Sequence, residues 1–571
     1  MERWVLLRKG ADFLKISERF GISPRLACLI RNRDVVGDGA ISRYLNGTLA
    51  DLYDGMLMKD MDKAVAILRE KIAEGKRIRV IGDYDIDGVN ATYILLEGLR
   101  RLGVTADSDI PDRVADGYGL SIHLLRRALD AGVDTVITCD NGIAASEEIQ
   151  YAKEQGLTVI VTDHHEVPYE EWKGEKQYLL PPADAVVDPR REDCEYPFSG
   201  LCGAAVAYKL MEALWESVGR DAEDLDDLIE NVAIATVGDV MDLKEENRIF
   251  VKEGLQMLER TKNPGLKALL EYTGLAGKHL NAYHIGFVIG PCLNAGGRLD
   301  TAKRSLDLLL ADTAREAALL AGDLKALNDS RKEMTEAAVR EACQMVEASA
   351  LRKDKVLVIY LPGCHESLAG IVAGRVRETY GKPVFILTDA RDGLKGSGRS
   401  IEAYSMYEEL SRCKGLLTKY GGHRQAAGLS MRRDNLESFR QALNENCRLT
   451  AEEMQEKVVI DMELPFSCVT EELIRELALL EPFGKGNTKP VFAARNIGFQ
   501  APRILGKHRN VIKMQAVDPQ GTRIEALYFG KEEEPFGDPG QRFLVTYYPQ
   551  INEYQGRVTV QIVITHYQIM K

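Results

Sequence analysis

The sequence lacks the features that would place it in a membrane or outside the cell. No apolar run approaches the ~18–20 residues needed to cross a bilayer. The opening Met1-Glu2-Arg3-Trp4 carries charges where a signal peptide needs an apolar stretch. The ten cysteines are scattered, and no two have the CxxC spacing of a zinc site or redox pair. We therefore expect a cytoplasmic protein that does not span or bind a membrane and has no structural disulfides.

The sequence also lacks an excess of basic residues. It has 74 Lys and Arg against 87 Asp and Glu, which gives a net charge of −13. This balance argues against a protein that coats nucleic acid non-specifically, but it leaves room for one local basic groove. With 571 residues, 45% hydrophobic and 28% charged, the chain has the composition of a globular protein of about three or four domains.

The first half of the sequence alternates short β-rich runs with helical stretches. This alternation predicts a mostly parallel sheet covered by helices on both faces. A long segment rich in Ala, Leu and Glu, 302–350, then predicts one or two connecting helices. The predicted strands of the first unit are 78–81, 133–138, 157–161 and 183–187, with a helix at 89–102.

A second α/β unit and a β-rich unit follow. Residues 355–360 and 383–388 are predicted strands, and 368–380 and 435–445 are predicted helices. Six β segments with turns between them indicate a small barrel of the oligonucleotide-binding (OB) type at the C-terminus. These β segments are 458–462, 491–499, 511–516, 523–529, 542–548 and 557–565. We thus predict a multidomain α/β protein with units at 1–50, 51–300, 301–352 (connecting helices), 353–450 and 451–571.

Acidic and imidazole residues follow each predicted strand of the first sheet. Because ligands bind at the carboxyl ends of the strands in open α/β sheets, these residues should meet in one crevice. Crowded carboxylates repel one another unless cations neutralise them, and Asp and His ligands suit Mn²⁺ or Mg²⁺. Each motif alone is also typical of an ordinary turn, but their combination in one unit favours a metal site. The motifs are Asp83-Tyr84-Asp85-Ile86-Asp87-Gly88, Asp140-Asn141-Gly142, Asp163-His164-His165 and Asp188-Pro189.

The first three of these motifs resemble those of the DHH phosphoesterase superfamily. Further segments resemble the RecJ family of single-strand-specific exonucleases within it, and the likeness runs from about Leu52 to the C-terminus. These segments are Pro111-Asp112-Arg113, Gly117-Tyr118-Gly119-Leu120, Tyr196-Pro197-Phe198, Leu293-Asn294-Ala295-Gly296-Gly297-Arg298, Gly396-Ser397-Gly398-Arg399-Ser400, Gly421-Gly422-His423 and Glu481-Pro482-Phe483-Gly484. The resemblance implies a DHH domain, a DHH-associated domain and an OB-type barrel.

The resemblance also implies two metal ions, Mn²⁺ or Mg²⁺, and a set of residues that binds them. Their ligands would be Asp85, Asp87, Asp140, His164 and Asp239, with Asp140 between the two ions. Asp83 would be either a further ligand or a turn residue. His165 would face the scissile phosphate, and Asp163 would orient its neighbours.

Candidate contacts to the substrate lie in all three units. Arg113, Arg298 and Arg399 are expected to neutralise phosphate oxygens, together with Asn294, Ser397 and Ser400. The segments 396–398 and 421–423 (Gly421, Gly422, His423) are predicted glycine-rich turns, whose backbone N–H groups can approach an anion. Barrel residues that can contact nucleic acid are Arg503, Lys507, Arg509 and Lys513, and Phe529, Tyr547, Tyr548 and Tyr554 can supply stacking faces.

The function that the resemblance implies is a metal-dependent exonuclease of DNA recombination and repair. It would remove mononucleotides from single-stranded DNA in the 5′→3′ direction, as a monomer, with a single-strand-binding protein and a helicase as further partners. Two alternatives remain open from sequence. One is a DHH phosphodiesterase acting on short oligonucleotides or cyclic dinucleotides, and the other is a non-catalytic DNA-binding replication scaffold.

Overall fold

The computed structural model describes residues 2–112, 119–172, 174–506, 509–530, 535–538, 540–554 and 556–570. The chain begins with a short strand and three helices: β1 (Arg3–Leu6), α1 (Phe13–Phe20), α2 (Pro24–Asn32) and α3 (Asp38–Asn46). Ser23 caps α2 by accepting the Leu26 N–H, and Pro24 occupies the first turn, where its missing N–H costs nothing. Among the described helices, none combines the length and apolar composition needed to cross a membrane.

The first lobe contains a five-stranded sheet in the order β3-β2-β4-β5-β8, and every pair in it is parallel. Its strands and the hairpin β6–β7 are β2 (Ile78–Gly82), β3 (Ala106–Asp109), β4 (Thr135–Cys139), β5 (Thr158–Thr162), β6 (Tyr169–Trp172), β7 (Glu175–Tyr178) and β8 (Ala185–Val187). The residues of β4 are buried, and two apolar clusters cover the two faces of the sheet. The predicted parallel sheet is confirmed, whereas strand β3 and the hairpin had no prediction.

Helices surround this sheet and continue into the second lobe. They are α4 (Met61–Ala73), α5 (Ile86–Arg101), α6 (Ile122–Asp130), α7 (Ser146–Glu154), α8 (Gly203–Ser217), α9 (Ile229–Gly238), α10 (Glu245–Leu258), α11 (Pro264–Tyr272), α12 (Ala282–His284), α13 (Gly290–Leu299), α14 (Lys303–Leu309) and α15 (Ala314–Ala348). A π-helical turn at Ile285–Ile289 joins α12 to α13 without a break. The 35-residue α15 confirms the predicted connecting helix.

The second lobe is a mixed sheet in the order β12-β13-β11-β10-β9. Its elements are β9 (Leu357–Tyr360), α16 (Ala369–Tyr380), β10 (Val384–Ala390), β11 (Gly393–Arg399), α17 (Met406–Arg412), β12 (Lys419–Gly422), β13 (Ala426–Met431) and α18 (Leu436–Asn446). Only β9 and β10 are parallel; β11, β12 and β13 pair in the antiparallel direction. This lobe therefore differs in sheet type from the first.

The C-terminal unit is a ring of strands. Strands β16 to β20 pair in the order β16-β17-β18-β20-β19, and β19 pairs again with β16, which closes the ring. Its elements are β14 (Lys457–Ile460), β15 (Met462–Glu463), α19 (Glu471–Leu477), β16 (Phe492–Leu505), β17 (Val511–Val517), β18 (Arg523–Phe529), β19 (Phe543–Tyr554) and β20 (Arg557–Ile569). Closure removes sheet edges, as in OB-type barrels. Five of the six predicted β segments form the ring. The first, 458–462, covers β14 and β15, of which β14 pairs with β1 in a separate sheet and β15 pairs with β16.

Candidate metal centre and phosphate cavity

The turn after β2 directs acidic side chains to the carboxyl edge of the first sheet. Asp85 caps α5, and its carboxylate accepts the backbone N–H groups of Asp87 and Gly88 at 3.0 and 3.1 Å. Asp87 lies in the first turn of α5, where the helix dipole favours a negative charge. Asp83 precedes the turn and is fully buried. The local sequence therefore brings three carboxylates to one corner.

A second helix N-terminus holds Asp87. The backbone N–H groups of Gly203 and Ala204, at the start of α8, each donate to the Asp87 carboxylate at 2.7 Å. A Cβ atom on Gly203 would lie only 2.7 Å from the Cβ of Asp140, so this close approach requires glycine. These two donors were not predicted from the sequence. The sequence feature that could have indicated them is Gly203, which stands at the start of an apolar helical segment.

Asp140 and His164 follow neighbouring strands and meet above the sheet. Asp140 has a left-handed φ of 59° directly after β4, and its Oδ1 lies 3.0 Å from Nε2 of His164, which follows β5. The same Nε2 lies 3.5 Å from Asp87 Oδ2 and 3.8 Å from Asp239 Oδ2. Asp239 caps the C-terminus of α9. Three carboxylates from three separate segments therefore converge on the imidazole of His164.

Burial and mutual repulsion raise the pKa values of these acids. For Asp87 and Asp140, burial is the largest cause and the neighbouring carboxylates add to it, so the pKa of each lies well above its usual range. Burial and the charge of Asp85 raise the pKa of Asp83 to about 8 and that of Asp239 to about 7. Burial lowers the pKa of His164 to about 3, which leaves it neutral. Such a cluster favours bound cations.

The donor atoms fit two divalent ions. Three groups have potential ligand atoms within 4.8 Å of one another: Asp83, Asp85, Asp140; Asp87, His164, Asp239; and Asp140, His164, His165. Among the described residues, no hydrogen-bond donor reaches the buried Oδ2 of Asp83. The donors are carboxylate oxygens and imidazole nitrogens, which suit Mn²⁺ and Mg²⁺ better than thiolate-preferring ions. The centre thus fits the predicted pair of ions.

His165 faces the open side of this cluster. Its Nδ1 lies 2.7 Å from Asp163 Oδ1, and its side chain is 44% exposed. Asp163 itself is fixed by the Ile143 N–H at 2.9 Å. Burial lowers the pKa of His165, but the hydrogen bond and charge of Asp163 outweigh it and raise the pKa to about 9. The hydrogen bond with Asp163 therefore fixes the His165 ring beside the carboxylates.

A cationic cavity of about 360 Å³ lies between the two lobes, next to the carboxylate cluster. Tyr84 and Arg298 line it from the first lobe, and Ser397 and Arg399 from the second. Arg298 Nη1 donates to the Ser367 carbonyl at 3.0 Å, and Arg399 Nη1 donates to Ser397 Oγ at 3.1 Å. Lys395 and Lys419 add further positive charge. Arginine and serine groups in this arrangement suit a phosphate.

The structure corrects two predictions about this region. The segments 396–398 and 421–422 are not turns, because Gly396, Ser397 and Gly398 lie in β11 and Gly421 and Gly422 in β12, where their backbone pairs with neighbouring strands. Ser400 is 1% exposed and its hydroxyl donates to the Tyr404 carbonyl, so it does not line the cavity.

The other predicted phosphate contacts have different positions. Asn294 is half-buried on α13, one helical turn before Arg298. His423 is exposed beyond the end of the edge strand β12. Gly421 pairs with Gly428, a residue that does line the cavity. The prediction for Arg113 lies outside the described residues.

The barrel residues are only partly brought together. Arg503 of β16 pairs with Lys513 of β17, whose ammonium lies 2.8 Å from Glu525. Arg509 has a left-handed φ of 52° in the segment between these strands, and Lys507 lies outside the described residues.

The aromatic prediction for the barrel fails at one residue. Tyr547 is fully buried and its hydroxyl donates to the Leu464 carbonyl, so it cannot stack on a base. Phe529 is 60% exposed, and Lys489 covers the ring of Tyr548. The side chain of Tyr554 is outside the described part.

Family models match each unit of the chain. The DHH family N-terminal domain matches residues 77–236, the DHHA1 domain 353–449 and the RecJ OB domain 460–566. The single-stranded-DNA-specific exonuclease RecJ of Bacillus subtilis is 34% identical over 98% of this chain and 70% of that protein. RecJ of Escherichia coli is 34% identical over 95% of both chains. This chain belongs to the RecJ family.

Solved structures of RecJ agree with the fold and with the resemblance seen in sequence. RecJ from Thermus thermophilus in complex with Mn²⁺ matches with a TM-score of 0.84 at 30% identity, covering 99% of this chain and 79% of that chain. The same protein in complex with Mg²⁺ matches with a TM-score of 0.78. The predicted RecJ-type arrangement of DHH, DHH-associated and OB units is thereby confirmed.

Proposed function

We propose that the chain is an Mn²⁺- or Mg²⁺-dependent exonuclease that hydrolyses single-stranded DNA from its 5′ end to mononucleotides. One observation carries this proposal: the carboxylate and imidazole cluster lies beside a cationic cavity, and Tyr84, within the Asp-rich turn, lines that cavity. A phosphate held by Arg298 and Arg399 would therefore lie close to a hydrolytic centre. Membership of the RecJ family supports the same substrate class.

The residues of the candidate metal centre would have two roles in hydrolysis, binding of the metal ions and contact with the phosphate. Asp83, Asp85 and Asp140 would hold one ion, and Asp87, His164 and Asp239 the other, with Asp140 and His164 near both. When bound, two such ions supply a hydroxide at neutral pH and stabilise the entering and leaving oxygens. His165, kept cationic by Asp163, would neutralise a non-bridging phosphate oxygen.

The cavity explains why cleavage would start at an end. Arg298, Arg399 and Ser397 present donors to a terminal phosphate, which has more charge and more free oxygens than an internal one. Holding that phosphate fixes the distance to the metal centre, so each cut would release one nucleotide. The barrel and its basic β16–β17 residues would bind the strand further along.

The units would then have separate roles. We propose catalysis in 51–300, end binding in 353–450 across the connector 301–352, and strand binding in 451–571 with the N-terminal residues 1–50. A cellular role in recombination and repair follows from single-strand end resection, in which a helicase and a single-strand-binding protein would supply and cover the substrate.

The test follows the products of 5′-labelled and 3′-labelled single strands over time with Mn²⁺. We expect the 5′ label to appear at once as a mononucleotide and a circular strand to resist. Arg298→Ala should weaken binding of a 5′-phosphorylated end by about 10–150-fold, because a charge-assisted hydrogen bond contributes roughly 1.5–3 kcal/mol.

Arg304→Ala is the matched control, since Arg304 pairs with Asp300 and Asp323 at the surface near the same helix. Cleavage of the circle as fast as the linear strand would refute an end-dependent nuclease. A strong preference for dinucleotides over long strands would favour a short-oligonucleotide phosphodiesterase instead.

A further inference from the structure

One continuous helix runs beside the metal centre and presents a stripe of exposed side chains. The helix comprises α12, the π turn and α13, from Ala282 to Leu299. Tyr283 and Phe287 are four residues apart, as are Asn294 and Arg298, and seven residues, about two turns, separate Phe287 from Asn294. The four side chains therefore lie along one side of the helix. These four residues are exposed or half-buried, whereas Ile285, Ile289 and Leu293 on the opposite side are buried.

Three glycines fix this helix against the elements that carry the metal ligands. A Cβ on Gly297 would lie 2.5 Å from the Tyr84 carbonyl oxygen, and one on Gly290 would lie 3.1 Å from Ile86 Cδ1. A Cβ on Gly286 would lie 3.7 Å from Val237, two residues before Asp239. The helix therefore passes along the whole cluster, with Arg298 at one end and Tyr283 at the other.

The aromatic end of the stripe is unusually open. Tyr283 is 62% exposed and Phe287 is 65% exposed. Their rings stack on each other with centroids 4.7 Å apart and planes 22° from parallel. Phe287 lies within the π turn, a local distortion that is frequent at functional sites. Neither ring is needed to fill the core, yet both are held in one orientation.

One cationic side chain, Lys278, lies near the pair. Lys278 and His279 precede the helix, and both are close enough to His284 to contribute to lowering its pKa, after the larger effect of its burial. Nδ1 of His279 lies 2.8 Å from Oε1 of Glu259. Among the described residues, no carboxylate forms an ion pair with Lys278. A polyanion with flat apolar bases complements such a surface.

We propose that Tyr283 and Phe287 form a base-stacking platform for the single strand, on the side of the metal centre away from Arg298. This inference rests on the proposed function and names the site that takes the nucleotides 3′ of the cleaved bond. The strand would run along α13, with its end at Arg298, its scissile phosphate at the carboxylates and its next bases on the two rings. Stacking on an aromatic face tolerates every base, as an exonuclease requires.

The helix geometry sets which nucleotides reach the platform. At 1.5 Å per residue, Phe287 lies about 16 Å and Tyr283 about 22 Å from Arg298 along the axis. Because stacked nucleotides rise about 3.4 Å each, a strand ending at Arg298 reaches the rings within its first five to seven nucleotides. Shorter substrates end before the platform.

The experiment uses the full chain and 5′-phosphorylated strands that carry 2-aminopurine at successive positions. Fluorescence is read with Ca²⁺ in place of Mn²⁺, and cleavage is measured separately with Mn²⁺. We expect quenching over positions about five to seven. For Tyr283→Leu/Phe287→Leu we expect KM on long strands to rise by about 5- to 150-fold, since each stacked base contributes this much. The loss should shrink as the strand is shortened to two nucleotides.

Three comparisons separate stacking from a structural effect. Tyr283→Phe/Phe287→Trp, which keeps both faces, should restore quenching and KM. Tyr272→Leu, a half-exposed aromatic on α11 that lies against Gly322, should behave as the unmodified protein. Abasic nucleotides placed in the DNA strand at the quenched positions should raise the KM of the unmodified protein. This comparison does not depend on the folding of a protein variant.

Failure of this inference differs from failure of the proposed function. If the unmodified protein cuts single strands with Mn²⁺ but shows no position-dependent quenching and no penalty for abasic residues, the platform is refuted and the exonuclease stands. If it cuts no single strand at all, the proposed function is refuted. Equal KM for Tyr283→Leu/Phe287→Leu and the unmodified protein would likewise overturn the platform.

Discussion

At the scale of single residues, the carboxylates of the centre are placed at a cost to stability. Asp140 is 2% exposed, adopts a left-handed backbone conformation and lies among other acids. In a purely structural role, an apolar residue or asparagine would avoid the repulsion that raises its pKa. Bound cations would attract these carboxylates and so offset the repulsion between them. A role in metal binding therefore explains why Asp140 is an acid.

Asp140→Asn is expected to abolish metal-dependent hydrolysis while the fold survives. Asparagine tolerates the left-handed conformation and keeps the side-chain shape, but it removes the charge shared by two ligand groups. Without metal, we expect the Asp140→Asn protein to be as thermally stable as the unmodified protein, or more stable. Mn²⁺ should stabilise the Asp140→Asn protein less than the unmodified protein, which gains roughly 2.7 kcal/mol when Mn²⁺ is present at about 100 times its dissociation constant. Turnover near that of the unmodified protein at saturating Mn²⁺ would contradict the two-ion centre.

Glu230 provides a pH-dependent contribution to stability away from the metal centre. It is 4% exposed on α9, and burial raises its pKa to about 7, even though the Thr261 hydroxyl donates to it at 2.7 Å. A raised carboxyl pKa means that the folded state binds the proton more tightly. Its contribution is therefore complete below about pH 4.5 and is lost as pH rises towards 7.

Glu230→Gln should flatten this dependence. At pH 8 the substituted protein is expected to be more stable, by an amount of the order of 3 kcal/mol for a shift of this size, and near pH 4.5 the difference should vanish. Melting temperatures from pH 4.5 to 8 measure this difference, with the exposed Glu271→Gln on α11 as control. If the melting temperatures of the unmodified and Glu230→Gln proteins changed in parallel with pH, the raised pKa of Glu230 would be contradicted.

At the scale of elements, the N-terminal segment belongs with the barrel. Strand β1 pairs in parallel with β14, and Leu26 and Ile30 of α2 are buried in the same apolar cluster as Phe466 and Phe492. Ser23 is also hydrogen-bonded to Glu476 of α19. Residues more than 400 positions apart thus form one core, which the first lobe contacts through α10.

Arg248 of α10 forms much of that contact. It is 3% exposed and donates to the carbonyls of Tyr44 at 2.8 Å, Leu480 at 2.9 Å and Leu479 at 3.0 Å. Its guanidinium also lies 3.9 Å from the centre of the Tyr44 ring. Arg248 thus bridges the first lobe, the N-terminal helices and the segment leading into the barrel.

Arg248→Met is expected to loosen the barrel from the first lobe. Methionine fills the space of the arginine stem, but the carbonyls of Tyr44 and Leu479 lose this donor, and a buried carbonyl without a donor costs roughly 1–3 kcal/mol. The Leu480 carbonyl still accepts from Asn487 at 2.7 Å. We expect faster hydrogen exchange in α3 and around Leu480, and weaker binding of long strands. Lys252→Met on the same helix, which loses one 3.4 Å contact to the Gly47 carbonyl, is the control. Unchanged exchange in both variants would show that Arg248 does not hold the units together.

At the scale of the whole molecule, positive charge is local within an acidic protein. The net charge of −13 coexists with an inter-lobe cavity lined by Arg298, Lys395, Arg399 and Lys419, with Glu366 as the acid in its lining. We therefore expect weak long-range attraction to DNA, with an affinity that depends on contacts within the cleft and along the barrel.

Removing the barrel should separate these two contributions. Because the N-terminal helices share its core, the appropriate truncation keeps residues 48–450 and deletes both segments. We expect metal binding and slow cleavage to survive, with weaker affinity for long strands and a flatter dependence of log affinity on log salt, since fewer counterions are released. Deleting only 451–571 should expose the apolar face of α2 and cause aggregation. Equal salt slopes for the truncated and full chains would show that the barrel does not bind DNA.

The alternation of helices and strands, and the acidic and imidazole residues at the strand ends, could be predicted from the sequence. Asp85, Asp140 and His164 could be picked out because each follows a β-rich run, and strand ends in a parallel sheet meet at one edge. The β segments of the barrel were also readable, since alternating apolar residues and turns are local signals. These features depend on neighbours along the chain.

Other features of the fold and the site depend on contacts between segments that are distant in the sequence. Gly396 to Gly398 and Gly421 to Gly422 have compositions typical of turns, but pairing with β10 and β13 makes them strands. The Asp87 contacts with Gly203 and Ala204, the burial of Ser400 and Tyr547, and the union of α2 with the barrel all join distant segments. Such contacts are set by which surfaces meet after folding, and no spacing along one segment encodes them.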